Sequence, residues 1–271
     1  MAKEWRRLLI SSEQLEAASD ARVPLGDREL HYLRRVLRLR SGDDFAVVDG
    51  QGRLWQACLD HDSALLQQPL NQPLQLQAPS ELGLQLAVAW PRRDGELLLR
   101  MATELGIDRI QPLMSDRSVT GERWNSVRTT AIVQEAVEQC ERLWMPDLAA
   151  PLGATSWLAE WGHNGGDLAL LATTRHGDLP LLLDRLEGFK TTQAPVGESV
   201  EHSSRTRRVV SLAIGPEGGW SPAEETLAMA KGWQAVSLGP TILRTATAAV
   251  GAAAVLCQWR SSCGTSPRPL T

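Results

Sequence analysis

The sequence predicts an α/β protein in which a C-terminal domain of alternating strands and helices follows a smaller, β-rich N-terminal domain. Residues 1–75 contain short alternating apolar segments around one basic helix, which is typical of a small β structure. Residues 80–260 alternate buried strands with amphipathic helices, which is typical of a mainly parallel sheet covered on both faces. With 271 residues, of which 43% are hydrophobic and 22% charged, the chain is long enough for both domains.

Composition argues against several classes of protein. The longest apolar runs fall short of a membrane span, and the N-terminus carries Glu4 among basic residues, so neither a membrane segment nor a signal peptide is expected. The four cysteines form no Cys-x-x-Cys pair and the five histidines have no ligand spacing. A disulfide framework and a metal site are therefore not expected, and the predicted setting is the cytoplasm, away from membranes.

The N-terminal domain combines a basic helix with a hairpin. Leu30, Leu33, Val36 and Leu37 recur at helical spacing and predict a buried face. On the other face, residues 28–40 carry five arginines against the single acid Glu29. This patch either holds a phosphate backbone or is a solvated helix face. Strands at 45–48 and 54–59 flank an Asp-Gly turn that predicts a hairpin, and residues 67–79 predict a strand followed by a linker.

The C-terminal domain follows a βα pattern. Strands are predicted at residues 84–89, 110–113, 168–172, 208–214 and 235–238, and helices at 96–106, 124–142, from Ser221 to Gly232 and at 245–259. In the first helix we expect Leu97, Leu98, Met101 and Leu105 to face inward. Ser221-Pro222-Ala223-Glu224 predicts a capping box with proline at the first helical position. Residues 190–207 and 261–271 are poor in apolar residues, and we expect a disordered insertion and a flexible tail there.

Two glycine-bearing loops are the strongest candidates for a site. Residues 215–219 follow one predicted strand and residues 238–244 follow the next. Parallel strands end at the same edge of a sheet, where α/β proteins bind ligands, and glycine lets the backbone approach a ligand closely. Because two such loops leave neighbouring strands, we expect a ligand pocket between them.

Two helices leave alternatives open. Glu135, Glu138, Gln139 and Arg142 share one face of the long helix, which is either solvated or recognises a base edge or a partner subunit. Residues 245–254 are almost all small. They indicate either a crowded monomer core or a tightly packed pocket and dimer seam.

Five segments resemble one known family. Residues 102–110 with Asp116-Arg117-Ser118, residues 135–142, residues 214–219 and residues 238–245 follow one another as in the RsmE family, the 16S rRNA uridine-N3 methyltransferases of the SPOUT superfamily. Residues 31–59 resemble the family's PUA-like RNA-binding barrel. The resemblance spans nearly the whole chain except 190–207 and the tail.

The resemblance implies a SPOUT domain with a trefoil knot, a homodimer and the cofactor S-adenosyl-L-methionine. Three knot loops would bind that cofactor through Leu171, Ala172, Thr173, Ile214, Gly215, Glu217, Gly218, Gly219, Leu238, Gly239, Pro240, Ile242 and Leu243. The implied partner is the 16S rRNA of the small ribosomal subunit. Its backbone would contact Arg34, Arg35, Arg38, Arg92 and Arg93.

The implied reaction transfers a methyl group to N3 of one uridine. The N3 proton must leave, so either a base removes it or a cation stabilises the anion. The implied catalytic residues are Arg117, Glu138, Arg142 and Arg244, with Glu217 a further candidate, and no base is assigned among them.

This chain departs from the family pattern in one place that bears on catalysis. Many relatives carry glutamate where this chain has Ala246. Either that carboxylate is dispensable or another residue replaces it. Two alternatives stay open: a SPOUT methyltransferase of another rRNA or tRNA nucleotide, and an RNA-binding ribosome-assembly factor that has lost catalysis, which Ala246 suggests.

Overall fold

The computed structural model describes residues 5–118, 124–161, 166–174, 177–191, 207–264 and 269–270. These residues form two compact units. The first unit comprises Met1–Pro79, Gln134–Met145 and Pro267–Thr271, and the second comprises Ser80–Val133 and Pro146–Ser266. Sequence reasoning assigned Gln134–Met145 to the α/β domain, whereas its contacts place it in the first unit.

The first unit is built on a mixed sheet with three short helical segments. Its elements up to residue 79 are β1 (Arg7–Leu9), α1 (Ser12–Glu16), β2 (Arg22–Pro24), α2 (Asp27–His31), a π-helical turn (Tyr32–Val36), β3 (Asp44–Val48), β4 (Arg53–Asp60), β5 (Ser63–Leu66) and β6 (Gln75–Gln77). The strands follow the order β1-β3-β4-β5-β2, and β6 pairs with β4. The predicted hairpin is confirmed as β3 and β4, which pair antiparallel around a turn where Gly52 has φ +95°.

Both faces of β3 are buried, which explains why the segment after residue 133 belongs to this unit. Phe45 and Val47 point into the main core, whereas Ala46 and Val48 pack in a second cluster with Leu143. A strand buried on both faces needs a cover on each side. Gln134–Met145 supplies the second cover.

The basic helix is confirmed in part. Leu33 is fully buried and the side chains of Arg34, Arg35 and Arg38 are exposed. Val36, predicted to face inward, is 59% exposed. The reason is the π-helical turn, whose wider hydrogen-bond spacing shifts the phase of the helix after Leu33.

The second unit is a parallel sheet with helices. Its elements are β7 (Leu82–Ala89), α3 (Gly95–Leu105), β8 (Arg109–Met114), α4 (Ser126–Gln139, whose last six residues belong to the first unit), β9 (Asp147–Leu148), β10 (Leu152–Gly153), α5 (Ala154–Ala159), β11 (Leu168–Ala172), α6 (Leu182–Thr191), β12 (Arg208–Ile214), α7 (Pro222–Ala230), β13 (Gln234–Val236) and α8 (Thr245–Ser262). The strand order is β10-β8-β7-β12-β11-β13, with β9 on β8 and every pair parallel. This sheet confirms the predicted α/β class, and β11 and β12 have their predicted bounds.

Helix α3 faces the core with only one of the four residues predicted to do so, Leu98. Leu98 and Leu99 are buried, whereas Leu97, Met101 and Leu105 are 49%, 37% and 37% exposed. Residues 97–99 are three consecutive leucines, and successive helical residues lie about 100° apart. One face therefore cannot bury all three, and α3 presents an apolar stripe to its surroundings.

Several boundaries and short elements differ from the prediction. Helix α4 ends at Gln139 and β13 at Val236, while α5, α6, β9 and β10 were not predicted. Helix α6 includes Lys190 and Thr191, which were predicted to be disordered, and residues 192–206 lie outside the described residues. The tail is also corrected, because Pro269–Leu270 forms β14 and pairs with β6. Among the described residues no helix combines the length and apolar character needed to cross a membrane.

Candidate functional site

The carboxyl ends of three neighbouring strands form a cavity in the second unit. The register aligns Ala172, the last residue of β11, with Ile214 of β12 and Val236 of β13. The loops that follow these strands line a cavity of about 210 Å³. Eleven of the predicted cofactor residues line it: Ala172, Thr173, Ile214, Gly215, Glu217, Gly218, Gly219, Leu238, Gly239, Ile242 and Leu243. Leu171 is buried within the sheet and Pro240 is exposed.

Two buried side chains fix the loop 215–219. The indole Nε1 of Trp220 donates to the Ala172 carbonyl at 3.0 Å, which joins this loop to the end of β11. The hydroxyl of Thr245 donates to the Gly215 carbonyl at 3.1 Å, which joins it to the start of α8. A side chain on Gly215 would lie 3.0 Å from the Trp220 ring, so glycine permits this packing. The backbone of the loop is therefore held in place before any ligand binds.

Arg117 is attached to the same loop. Its Nη1 donates to the carbonyls of Gly218 at 3.3 Å and Trp220 at 3.0 Å. A Cβ on Gly218 would lie 3.2 Å from the Cβ of Arg117. This close approach brings a guanidinium charge to the cavity wall, where Arg117 is one of the lining residues.

A buried carboxylate holds the segment that carries Arg117. Glu224, only 1% exposed, accepts hydrogen bonds from the Ser221 amide at 2.8 Å, the Ser115 hydroxyl at 3.0 Å and the Asp116 amide at 3.1 Å. The Ser221 hydroxyl in turn donates to Asp116 Oδ2 at 2.6 Å. The capping box of α7 is confirmed, and its glutamate also binds a loop more than one hundred residues earlier in the chain.

Glu225 and Thr245 are among the lining residues that the sequence did not predict for the site. Glu225 lines the cavity and accepts a hydrogen bond from the Thr173 hydroxyl at 2.7 Å. Thr245 lies next to the predicted Arg244 and is almost fully buried, whereas Arg244 is exposed at the N-cap of α8. The sequence signal for Glu225 was weak, because an acidic residue in the first turn of a helix ordinarily interacts only with the helix dipole.

The remaining predicted catalytic residues lie in the first unit. Glu138 accepts a hydrogen bond from the Leu9 amide at 2.9 Å, and Arg142 is half-buried. Burial raises the pKa of Glu138 to about 7, against the lowering effects of the Leu9 amide and Arg28. The structure thus groups Arg117, Glu217 and the two glycine loops in one cavity and places Glu138 in different surroundings.

The predicted RNA-binding arginines are exposed. Arg34 pairs with Asp62 at 3.0 Å and donates to the His61 carbonyl at 2.9 Å. Arg92 and Arg93 lie in the second unit, in the loop that precedes α3. Within the described part of the chain, no three His, Cys, Asp or Glu side chains are grouped as a metal site would require.

The sequence of this chain matches the models of a known class of protein. A family model of the RNA methyltransferase domain matches residues 78–257, and a model of the RNA methyltransferase PUA domain matches residues 25–67. The chain is thus an RNA methyltransferase with an N-terminal PUA domain.

Individual relatives identify the family to which the chain belongs within this class. The chain is 40% identical to the ribosomal RNA small subunit methyltransferase E of Synechocystis sp., covering 89% of this chain and 74% of that protein. It is 29% identical to the enzyme of that name from Rickettsia conorii, over 93% and 94% of the two chains. The crystal structure of the Neisseria gonorrhoeae ribosomal RNA small subunit methyltransferase E bound to S-adenosyl methionine superposes with a TM-score of 0.72 at 25% identity, over 94% and 98%. The chain belongs to the ribosomal RNA small subunit methyltransferase E family.

Proposed function

We propose that this protein transfers the methyl group of S-adenosylmethionine to N3 of one uridine in 16S rRNA of the small ribosomal subunit. The observation that carries the proposal is the cavity where the loops after β11, β12 and β13 meet, with three glycines in the second loop and one, Gly239, in the third. Family membership and the bound cofactor of the Neisseria gonorrhoeae relative support the same assignment.

The residues present fit this cofactor. The apolar wall formed by Leu238, Ile242 and Ala248 suits an adenine ring, and the backbone of the glycine loops offers amides and carbonyls to its edge. Glu217 and Glu225 supply negative charge that suits an ammonium or a sulfonium group. When bound, the cofactor supplies an electrophilic methyl carbon next to a positively charged sulfur.

The protein's own contribution is to hold the base and lower the cost of removing its N3 proton. We assign stabilisation of the developing uracil anion to Arg117, because two loop carbonyls fix its guanidinium at the cavity wall. Arg244, at the start of α8, is a second cation for this role. N3 lies on the Watson–Crick edge, so the nucleotide must leave its pairing before it can react.

The test is methyl transfer to defined RNA. The full chain is incubated with labelled S-adenosylmethionine and small subunits from a strain that lacks the endogenous enzyme, and the labelled nucleotide is mapped. We expect one N3-methyluridine in 16S rRNA. Label on tRNA or on another nucleotide would refute the substrate assignment, and cofactor binding without transfer to any RNA would favour an assembly factor.

We also infer that two copies of the chain pair through α3 and α8. Helix α8 packs on α3, whose Leu97, Met101 and Leu105 form the apolar stripe. Gly251, in the middle of α8, is exposed, and among the described residues a Cβ there would meet no atom within 4 Å beyond the adjoining backbone of its own helix. Glycine inside a helix costs about 0.5–1 kcal/mol relative to alanine, so its presence on an open face favours close approach of a second backbone.

We also propose that the C-terminal part of the chain forms a knot. The proposal is based on the order of the strands in the sheet and on the position of α8. Strand β13 lies at the edge of the sheet, yet α8, which follows it, packs on β7 and β12 in the middle. After β13 the chain therefore runs back along the carboxyl edge of the sheet, from its edge strand to its middle.

With ribosomal RNA as its substrate, the proposed place of action is the cytoplasm.

A further inference from the structure

The first unit contains a second cavity, separate in its residues from the cofactor site. It has a volume of about 270 Å³, many times the roughly 30 Å³ that one water molecule occupies in the liquid. Strand β1, helix α2 and the last turns of α4 supply its walls. It can therefore admit an organic group, and nothing in the proposed methyl transfer uses it.

The lining of this cavity is rich in hydrogen-bond acceptors. Glu29, Glu135 and Glu138 all line it. One oxygen of Glu138 accepts from the Leu9 amide on the edge strand β1. Burial raises the pKa of its carboxyl to about 7, with Glu135 and Glu29 adding to the increase, so its present partners compensate poorly for the loss of water. Such a carboxyl gains from a ligand that brings two N–H donors.

The same cavity has a cation and an aromatic ring. Arg28 lines it and is positioned by a hydrogen bond from its Nη1 to Gln134 Oε1 at 2.6 Å. Tyr32 also lines it and is half-buried. Burial raises the pKa of Tyr32, and the charge of Glu138 raises it further, so the ring stays neutral and suited to stacking.

We propose that this cavity binds one unpaired guanine base of the substrate RNA. Guanine offers adjacent N1–H and N2–H donors that match the Glu138 carboxyl, and O6 and N7 acceptors that match the Arg28 guanidinium. Unpaired bases stack on tyrosine rings in RNA-binding proteins. Adenine lacks the N1–H and O6 groups, and the single N–H of the uracil edge lies between two carbonyls that a carboxylate repels. The site thereby fixes the register of the RNA, an inference that rests on the proposed function.

The direct test uses unmodified protein and changes single atoms of the RNA. The full chain is titrated, without cofactor, into fluorescein-labelled pentamers of uridine whose central nucleotide is guanosine, inosine, 7-deazaguanosine or adenosine, and anisotropy is followed. Inosine lacks the N2 amino group and 7-deazaguanosine lacks N7. We expect guanosine to bind on the order of tenfold tighter than inosine or adenosine, and several-fold tighter than 7-deazaguanosine. Equal affinity for guanosine, inosine and adenosine would overturn the proposal.

A variant tests the assigned residue. In Glu138→Gln the side-chain oxygen can still accept from Leu9, but its amide nitrogen is a donor facing guanine donors. We expect its affinity for the guanosine pentamer to fall to that of the adenosine pentamer, while its affinity for the adenosine pentamer, which offers no N1–H to this carboxyl, does not fall. Equal weakening on both pentamers would mean a structural role only. Glu16→Gln, an exposed residue of α1, is the matched control.

Two further comparisons distinguish the possible sources of the bound base, and distinguish failure of this site from failure of the proposed function. Free GMP is titrated as a competitor, and binding of GMP without a preference for guanosine in the pentamers would refute RNA as the source of the base. Because the anisotropy measurement involves no methyl transfer, loss of the guanosine preference refutes this site alone. Failure to methylate 16S rRNA refutes the proposed function instead.

Discussion

The carboxylate of Glu224 accepts a hydrogen bond from the Ser115 hydroxyl at 3.0 Å, across 109 positions of the chain. Through this contact the start of α7 and the segment 115–118 hold the cofactor loop between them. Arg117, on that segment, then reaches the carbonyls of Gly218 and Trp220. The cavity therefore depends on a carboxylate that does not itself line it.

Glu224→Gln tests this dependence. The amide nitrogen would face a backbone donor in a buried site, so we expect the free energy of unfolding to fall by about 1–3 kcal/mol and cofactor affinity to fall with it. Urea denaturation and calorimetry with S-adenosylmethionine measure the two effects. Glu160→Gln, an exposed residue after α5, is the control and should leave both unchanged. An unaltered Glu224→Gln protein would contradict the proposed role.

Thr245→Val removes the hydroxyl that donates to the Gly215 carbonyl while keeping the shape of the side chain. A neutral hydrogen bond contributes about 0.5–1.5 kcal/mol, so we expect cofactor affinity to fall about two- to tenfold. Thr247→Val changes an exposed threonine of the same helix and is the matched control. Equal affinities of the two variants would show that Thr245 does not set the loop.

Met101→Glu places a charge in the exposed apolar stripe of α3. If α3 and α8 form the dimer, burial of an unpaired carboxylate should shift the protein to monomers. Light scattering after gel filtration measures the mass. Met229→Glu on α7 changes another exposed methionine and should leave the mass unchanged. A wild-type monomer, or a Met101→Glu dimer of undiminished affinity, would argue against this interface.

Arg35→Gln and Arg38→Gln test the basic segment 28–40 as a phosphate-binding surface. Each arginine is exposed, and each lost phosphate contact should reduce the slope of log affinity against log salt by about one. RNA binding is measured between 50 and 200 mM salt, as in ordinary counterion-release experiments. Arg22, which is bound to Asp60, supplies the control variant Arg22→Gln. Unchanged slopes would mean that these arginines are only solvated and do not bind phosphate.

The raised pKa of Glu138 predicts a pH dependence of stability. The folded state binds this proton up to about pH 7, whereas the unfolded carboxyl loses it near its usual value of 4.5, so the wild type loses stability as pH rises between these values. The variant Glu138→Gln has no titratable carboxyl at this position, so it does not lose this stability as the pH rises. Relative to wild type, its unfolding free energy should therefore rise by about 1–3 kcal/mol from pH 5 to pH 8, measured with urea. A constant difference between the two proteins across this range would refute the shifted pKa.

The predictions from the sequence agree best with the structure where neighbouring residues determine the local conformation. The capping box at Ser221 and the hairpin turn at Gly52 depend on neighbouring residues, and both were predicted. The face of α3 was predicted less well, because three consecutive leucines fit more than one orientation and the packing of α8 selects between them. The exposure of Val36 has a similar cause, since a π-helical turn changes the phase that regular periodicity assumes.

The sequence by itself determined the α/β class, the family and the two glycine loops, since each of these is written in local patterns and in the order of motifs. Only the tertiary structure decided which distant side chains complete the site. Glu224 reaches Ser115, Thr245 reaches Gly215, and Glu138 lies against Leu9 in the first unit. These contacts join residues far apart in the chain, and the order of strands in the sheet brings them together, which no spacing along the sequence encodes.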